Sequence, residues 1–580
     1  MGIVNSEPNV RLNATFAPVR PHQGRVGFVS QSGALGIAIL SAANAQGVGI
    51  SSFLSVGNKA DISGNDIIQY WETDPETDIG LLYLESFGNP RKFGRIARRF
   101  TRKKPLIVVK SGRTEAGARG ASSHTAAMAS SDVLTQTLFE QAGIIRVDTL
   151  EELFNVARVL THQPLPKGNR VAIVGNSGGP GILAADACEG AGLSVPELSD
   201  QTKAKLREVL PLGAAVGNPV DLVADSGPEE YEAALRIILD DDDIDSVIII
   251  YTDPLVSDPT EVGQAVRRAV SEGPVKPVLA TFLSVDAKPV LDVEAPDGTK
   301  RDIPIFPFPE APAVALGRMT SLGTWREKDQ GQTPILDGVD VHEARRIAAA
   351  VLEDAPEGRW LTQTEFYDLL QAVGVQMVRT AEVPTADEAA ALAQEWGAKV
   401  ALKVQSSTIL HKTDVGGVLL GVEPEDVGDA VRDMQERLGD GMEGVVVQEM
   451  AEAGVEVIIG VVNDPSFGPL VMFGMGGTAT ELFKDTAYRI VPITDVDAAE
   501  MVRSPKSSDL LTGYRGSDPT DVDALEDLLL RVSLLADLVP EVAEMDMNPV
   551  IARADGISIV DARCKLQPPT VAPDLPVRRL

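Results

Sequence analysis

The stretch RVGFVSQSGALGIAILSAANAQG, residues 25–47, decides the fold. Its first six residues read as a buried strand. The small polar turn Ser30-Gln31-Ser32-Gly33 follows, and then an amphipathic helix. A second stretch, RVAIVGNSGGPGILAADACEGAG (170–192), repeats that order around Asn176-Ser177-Gly178-Gly179-Pro180-Gly181. Further buried strands lie at GISSFLSVG (49–57), IGLLYLES (79–86) and KPLIVVKSG (104–112), then at DSVIIIYTDP (245–254) and KPVLATFL (276–283). Strands alternating with helices predict parallel sheets covered on both faces. The chain therefore reads as α/β, with two successive similar domains over 23–160 and 166–325. The break THQPLPKGNR (161–170) separates them, and the first 22 residues are expected to be irregular.

The character changes after a Pro-, Asp- and Gly-rich stretch, with a linker placed at 326–341. EARRIAAAVLEDA (343–355) and TQTEFYDLLQAVG (362–374) read as helices. AKVALKVQSS (398–407), GVVVQEM (444–450), VEVIIGVVND (455–464) and PLVMFGMGG (469–477) read as strands with hairpin-like connections. A helix at 523–539 precedes a hairpin, AEMDMNPVIARADGISIVDARC (543–564), turning at Ala554-Asp555-Gly556. This third region, 342–570, is predicted to be α+β with an antiparallel sheet, and 571–580 a tail.

Composition narrows the function. The 580 residues carry 52 basic and 84 acidic side chains, a formal net charge of −32. Such a chain is repelled by phosphate backbones and anionic lipid, so nucleic-acid and membrane partners are not expected. Two cysteines, Cys188 and Cys564, exclude a disulfide scaffold and fit a reducing, cytoplasmic setting. No secretory signal pattern is seen at the start, and no apolar run is long enough for a membrane span.

Against that acidic background a few residues carry chemistry. The two Ser/Gly turns stand where a helix N-terminus offers free N–H groups and partial positive charge, a setting for phosphate. Neither spells a dinucleotide or Walker-type signature. SGRTEAGARGASSHTAAMAS (111–130) is basic, has little bulk, and presents His124 on what reads as a loop. A neutral imidazole can accept a phosphoryl group. Glu85 ends a strand where a carboxylate could orient an imidazole through its other nitrogen. His22, His162 and His342 read as surface histidines. His411 lies in HKTDVGG after the strand bearing Lys403, a pattern suited to nucleotide phosphates. Asp546, Asn548 and Asp561 sit on one predicted hairpin, with 548 and 561 near one level, and suit Mg²⁺ or are solvated strand polars.

Taken together, the motifs resemble those of the ADP-forming acetate–CoA ligases, relatives of succinyl-CoA synthetase. VSQSGALG (29–36), YLES (83–86), GARGASSHTAAMA (117–129), GNSGGPGIL (175–183) and GNPVDL (217–222) resemble the family's two flavodoxin-like domains. ALKV (401–404), ILHKTDVGGV (409–418), GGTATELFKDTAYRIVPI (476–493), MDMNPV (545–550) and VDAR (560–563) resemble its ATP-grasp domain. The resemblance implies that His124 is phosphorylated in turnover and that Glu85 positions it. It implies that Ser32-Gly33 and Ser177-Gly178 hold phosphate, and that Lys403 and Glu456 contact nucleotide. Asp546, Asn548 and Asp561 would hold Mg²⁺, and His411 would relay phosphate toward ADP. The implied reaction interconverts acyl-CoA, ADP and phosphate with a carboxylic acid, CoA and ATP.

Family chains usually begin with a CoA-binding domain of about 130 residues, an ordinary domain size, ending in a motif like GPNCLGIVN. This sequence starts at MGIVN, within that motif, so residues 1–22 read as its remnant. The CoA-binding domain is then expected from an upstream stretch or a separate chain, or has been lost. The alternative is a non-catalytic, regulatory relative. A homo-oligomer is also compatible with the sequence.

Overall fold

A computed structural model of the chain describes residues 2–57, 59, 62–87, 89–114, 132–253, 257–283, 289–294, 298–406, 415–464, 467–476 and 485–569. His124 and His411 lie outside these residues, as do most of the 111–130 segment and residues 477–484. The chain divides into two compact units at Asp329/Gln330.

The first unit holds two α/β sheets. In the first, strands β3 (Gln23–Ser30), β4 (Ile50–Ser55), β5 (Ile79–Leu84), β6 (Leu106–Lys110) and β7 (Ile145–Val147) are parallel, in the order β4-β3-β5-β6-β7. The opening residues are not irregular. β1 (Gly2–Asn5) and β2 (Leu12–Thr15) form an antiparallel ribbon that pairs with β4 through Ile3↔Leu54 and Val4↔Phe53. Their segments are too short and polar to show a period, so only pairing with an existing sheet edge makes them strands.

Helices cover both faces of this sheet. Ile39, Leu40, Leu153 and Phe154, from helices Gly33–Ala45 and Leu150–His162, pack with Phe28 and Phe53 in one core. Trp71 lies on the other face, where Gly27 and Gly80 leave room for its ring. A Cβ at Gly27 would stand 2.4 Å from that ring, so the close approach requires glycine there.

The second sheet is all parallel, in the order β14-β11-β10-β8-β9. It comprises β8 (Val171–Gly175), β9 (Val220–Asp221), β10 (Ser246–Thr252), β11 (Val278–Leu283) and β14 (Ile305–Phe306). A small hairpin, β12 (Asp292–Glu294) with β13 (Lys300–Asp302), stands apart from it. Helix Glu310–Glu327 joins the two sheets. Its Ala313, Leu316 and Met319 share a core with Val156 and Val159 of one domain and Ile173 of the next. Arg318 pairs with Glu152 at 2.9 Å.

The second unit contains two antiparallel sheets where one was expected. The larger follows the order β15-β25-β23-β20-β21-β22, with β24 on β23. These are β15 (Arg359–Trp360), β20 (Val455–Asp464), β21 (Gly468–Met475), β22 (Thr486–Ile490), β23 (Val542–Arg553), β24 (Gly556–Ile559) and β25 (Ala562–Leu566). The smaller joins β16 (Thr380–Val383), β19 (Gly444–Glu449), β17 (Val400–Gln405) and β18 (Val418–Val422). Alternation alone cannot separate them, because each sheet buries one face under its own helices. Val400, Leu402 and Val404 pack with Ala389 and Val431, whereas Val457, Ile459 and Met547 pack with Leu369 and Leu529. No helix among the described residues is long and apolar enough to cross a membrane.

Candidate functional site

In a parallel sheet, ligands are met beyond the carboxyl ends of the strands. There the first sheet gathers a polar cluster. Gln31, at the end of β3, is 5% exposed. Its Oε1 accepts from the backbone N–H groups of Glu85 at 2.9 Å and Ser86 at 3.0 Å. Its Nε2 donates to Ser86 Oγ at 3.2 Å. One buried amide thus fixes the backbone from which the Glu85 carboxylate springs. Among the described residues no hydrogen bond or ion pair occupies that carboxylate, so it is open to a new partner. Ser32 caps the following helix, accepting from Leu35 N–H at 3.4 Å, and no acidic residue sits in that helix's first turn.

Two lysines that sequence reading passed over complete this edge. Lys59, beyond β4, donates to the Ser86 carbonyl and lies 3.4 Å from Ser86 Oγ. Burial lowers its pKa to about 8, helped by Lys110 and opposed by Glu85. Lys110 ends β6, is 5% exposed, and donates to the Ser111 carbonyl at 2.5 Å. Burial lowers its pKa as well. Lys110 was findable, since a basic residue closing the buried strand LIVVK is the same signal that singled out Lys403. Lys59 sits in a non-periodic loop and gave no such signal.

The second sheet builds the same turn differently. Asn176, 2% exposed, exchanges hydrogen bonds with the Thr252 backbone at the end of β10, both at 2.9 Å. The Thr252 Oγ1 is buried and, among the described residues, without a partner. Ser177 makes no side-chain cap, and Gly178 and Gly179 are exposed at the helix start. A Cβ at Gly178 would meet the Asp221 carboxylate at 3.2 Å. This helix end therefore already faces an anion of its own chain.

In the second unit, alternation on the larger sheet sends Met545, Met547, Val457 and Ile459 into the core. Glu544 and Asp546 take the opposite face, and Asn548 is exposed at a bulge on β23, a feature that re-aims side chains. Glu456 is exposed on that face of β20, beside Gly476, whose N–H donates to the Glu456 carbonyl at 2.7 Å. On the smaller sheet Lys403 points away from its core. Gln448 Nε2 donates to the Val560 carbonyl at 2.8 Å and ties the two sheets together. Beside that tie, Lys403 Nζ stands 4.0 Å from Asp561 Oδ2.

Asn548 N–H donates to the Asp561 carbonyl at 2.9 Å, the shared level expected from the hairpin. Burial raises the pKa of Asp546, and Glu544 and Asp561 push it further up against Arg563, 3.4 Å away. A cation would relieve that repulsion. Among the described residues no group of three His, Cys, Asp or Glu side chains is placed for a metal. Two carboxylates and one carboxamide nonetheless fit Mg²⁺, which takes one or two carboxylates and draws its other ligands from phosphate and water.

The other histidines behave unequally. His22 and His342 are exposed as expected. His162 is half-buried, and burial lowers its pKa with Asp302 opposing, so it is not a free surface histidine.

The chain thus carries two largely parallel α/β sheets followed in sequence by a unit of two antiparallel sheets. Residues 23–160 match the succinyl-CoA ligase-like flavodoxin domain, 171–318 the ligase-CoA domain, and 353–566 an ATP-grasp domain. The chain is 37% identical over 572 residues to acetate–CoA ligase [ADP-forming] I of Archaeoglobus fulgidus, covering 98% of this chain and 81% of that protein. It is 32% identical to 4-hydroxybutyrate–CoA ligase [ADP-forming] of Nitrosopumilus maritimus, with the same coverage of each. Among solved structures it is similar to the dinucleotide-forming acetyl-coenzyme A synthetase 1 of Ca. Korarchaeum cryptofilum in complex with phosphate and ADP. That match has a TM-score of 0.51 and 31% identity, and covers 56% of this chain and 70% of that one. The chain belongs to the ADP-forming acyl-CoA ligase family.

Proposed function

We propose that this protein interconverts acyl-CoA, ADP and phosphate with free acid, CoA and ATP, carrying the phosphoryl group on His124. The observation that carries this reading is the Glu85 carboxylate, fixed by Gln31 and unoccupied among the described residues, at the sheet edge where β6, the strand that precedes His124 in sequence, also ends. A carboxylate there accepts the N–H of one imidazole nitrogen and holds the tautomer that leaves the other nitrogen nucleophilic. It also compensates the positive charge that the ring gains on phosphorylation.

The chemistry balances in three steps. A phosphate oxygen attacks the thioester carbonyl carbon. The C–S bond breaks, CoA leaves as thiolate and takes a proton, and acyl phosphate forms. The His124 nitrogen then attacks phosphorus, the bond from phosphorus to the acyl oxygen breaks, and the carboxylate departs. Finally a β-phosphate oxygen of ADP takes the phosphoryl group, the P–N bond breaks, and ATP forms with neutral histidine. Between the second and third steps His411 serves as a second carrier: its nitrogen attacks phosphorus, the P–N bond to His124 breaks, and ADP then takes the group from His411. Ser32-Gly33 and Ser177-Gly178 offer helix N–H groups to the phosphate. Lys403 and Glu456 hold the nucleotide, and Asp546, Asn548 and Asp561 hold Mg²⁺. When bound, Mg²⁺ neutralises charge on the transferring phosphates.

The acyl group comes from a carboxylic acid, and relatives of similar identity are named for acetate, 4-hydroxybutyrate and trans-ferulate. The test is incubation with γ-labelled ATP and Mg²⁺. Acid-labile, base-stable label on the wild type is expected. No label, or label surviving a His124→Ala/His411→Ala double change, would contradict the proposal.

A further inference from the structure

The strand order β4-β3-β5-β6 places the two lysines of the first sheet on either side of Glu85. Lys59 follows β4, yet its ammonium bonds to Ser86, which follows β5. To do so it passes over the end of β3, where the Ser30-Gln31-Ser32-Gly33 turn opens the helix Gly33–Ala45. The ammonium shares Ser86 Oγ with the Gln31 amide, one residue before Ser32, the N-cap of a helix with no acidic residue in its first turn. Among the described residues it bonds to Ser86 and not to the Glu85 carboxylate. Lys59 also holds a left-handed backbone, φ 57°, which non-glycine residues rarely adopt and which functional sites retain. Two ammonium groups and one carboxylate leave this half-buried edge with net positive charge, in a chain of net charge −32.

Resting on the phosphotransfer reading above, we propose that Lys59 is a phosphate-binding residue. It leans from the Ser86 carbonyl onto the phosphoryl oxyanion that comes to Glu85 and the helix start. The compact ammonium supplies the full charge that a helix end only partly provides. Its proton is the weak point. Burial and Lys110 lower its pKa to about 8 while Glu85 opposes them, and Lys110 is in turn influenced by Asp132, Arg146 and Glu85. Lys59 is thus charged at pH 7 and loses that charge as pH rises through 8, and phosphate affinity falls with it.

Titration calorimetry of inorganic phosphate into the full chain tests this, with wild type, K59M and K59R compared at pH 7 and pH 9. Phosphate affinity is expected to drop on the order of tenfold in K59M at pH 7, the scale of a lost charge-assisted bond. K59R keeps its charge at pH 9. Relative to K59R, wild-type affinity is therefore expected to fall several-fold between the two pH values, a comparison that removes the titration of phosphate itself. Folded K59M within twofold of wild type, identical pH profiles for wild type and K59R, or no phosphate binding to wild type would each overturn the proposal. If K59M does not fold, the K59R comparison decides. ATP-dependent label on His124 with unaltered phosphate binding in K59M sinks this inference alone. Absent label sinks the functional reading, and the titration still decides Lys59.

Discussion

The two Ser/Gly turns of the first unit share a device and differ in what it holds. In each, the residue before the serine is a buried amide that clamps the end of a neighbouring strand. Gln31 clamps Glu85 and Ser86, and Asn176 clamps Thr252. The clamped residue is a carboxylate flanked by two lysines in one domain and a neutral threonine in the other. The helix ends differ as well. Neither has an acid in its own opening turn, but the second is approached by Asp221 from β9. A repeated strand–turn–helix thus supplies a common frame, and the neighbouring strand ends set the charge that each copy meets.

The largest test of that contrast is E85Q against T252V. E85Q is expected to slow His124 phosphorylation on the order of a hundredfold, within the usual range for a lost positioning or acid–base group. T252V should change the rate less than about threefold, since a hydroxyl without a partner supports no carboxylate. Equal losses would break the comparison. Next come the clamps themselves. Q31A and N176A each leave buried backbone groups unpaired and should each cost about 1–3 kcal/mol in denaturant unfolding. Only Q31A should also slow phosphorylation, by about tenfold, because only it frees Glu85.

A smaller effect is expected of D221N. The variant keeps an oxygen able to accept from Val223 N–H, a bond of 3.1 Å in the wild type. It removes the charge near Gly178, so phosphate affinity should tighten about two- to fivefold in a binding titration. The smallest effect lies in the second unit. Asp546 has a raised pKa, so the folded state holds its proton more tightly than the unfolded chain does. Its contribution to stability is therefore lost as pH rises through the folded pKa. D546N should raise the neutral-pH melting temperature slightly, flatten its fall with pH, and weaken Mg²⁺-nucleotide binding.

Much of this was legible in the sequence because it is local. The strands beginning at Gln23 and Val171 announce themselves as apolar runs closed by Ser/Gly turns, and the level shared by Asn548 and Asp561 follows from counting back from one hairpin. What escaped depends on pairing across the chain. Gln31 meets partners 54 and 55 residues away, and nothing in its turn distinguishes it from a solvated glutamine. Lys59 acquires meaning only once strand order puts β3 between β4 and β5. The ribbon of β1 and β2 has no period of its own, and the division of the second unit into two sheets follows from which helices cover which strands. His162 reads as a surface histidine because its burial, opposed by Asp302, arises only in the fold.

In the proposed reaction the phosphoryl group travels on His124, and that step decides the rest. It is tested most directly by loading the protein with γ-labelled ATP and Mg²⁺, removing free nucleotide, locating the label by mass spectrometry, and adding ADP. Phosphohistidine at His124 and return of the label as ATP are expected. Label confined to other residues, or label at His124 that ADP does not discharge, would contradict it.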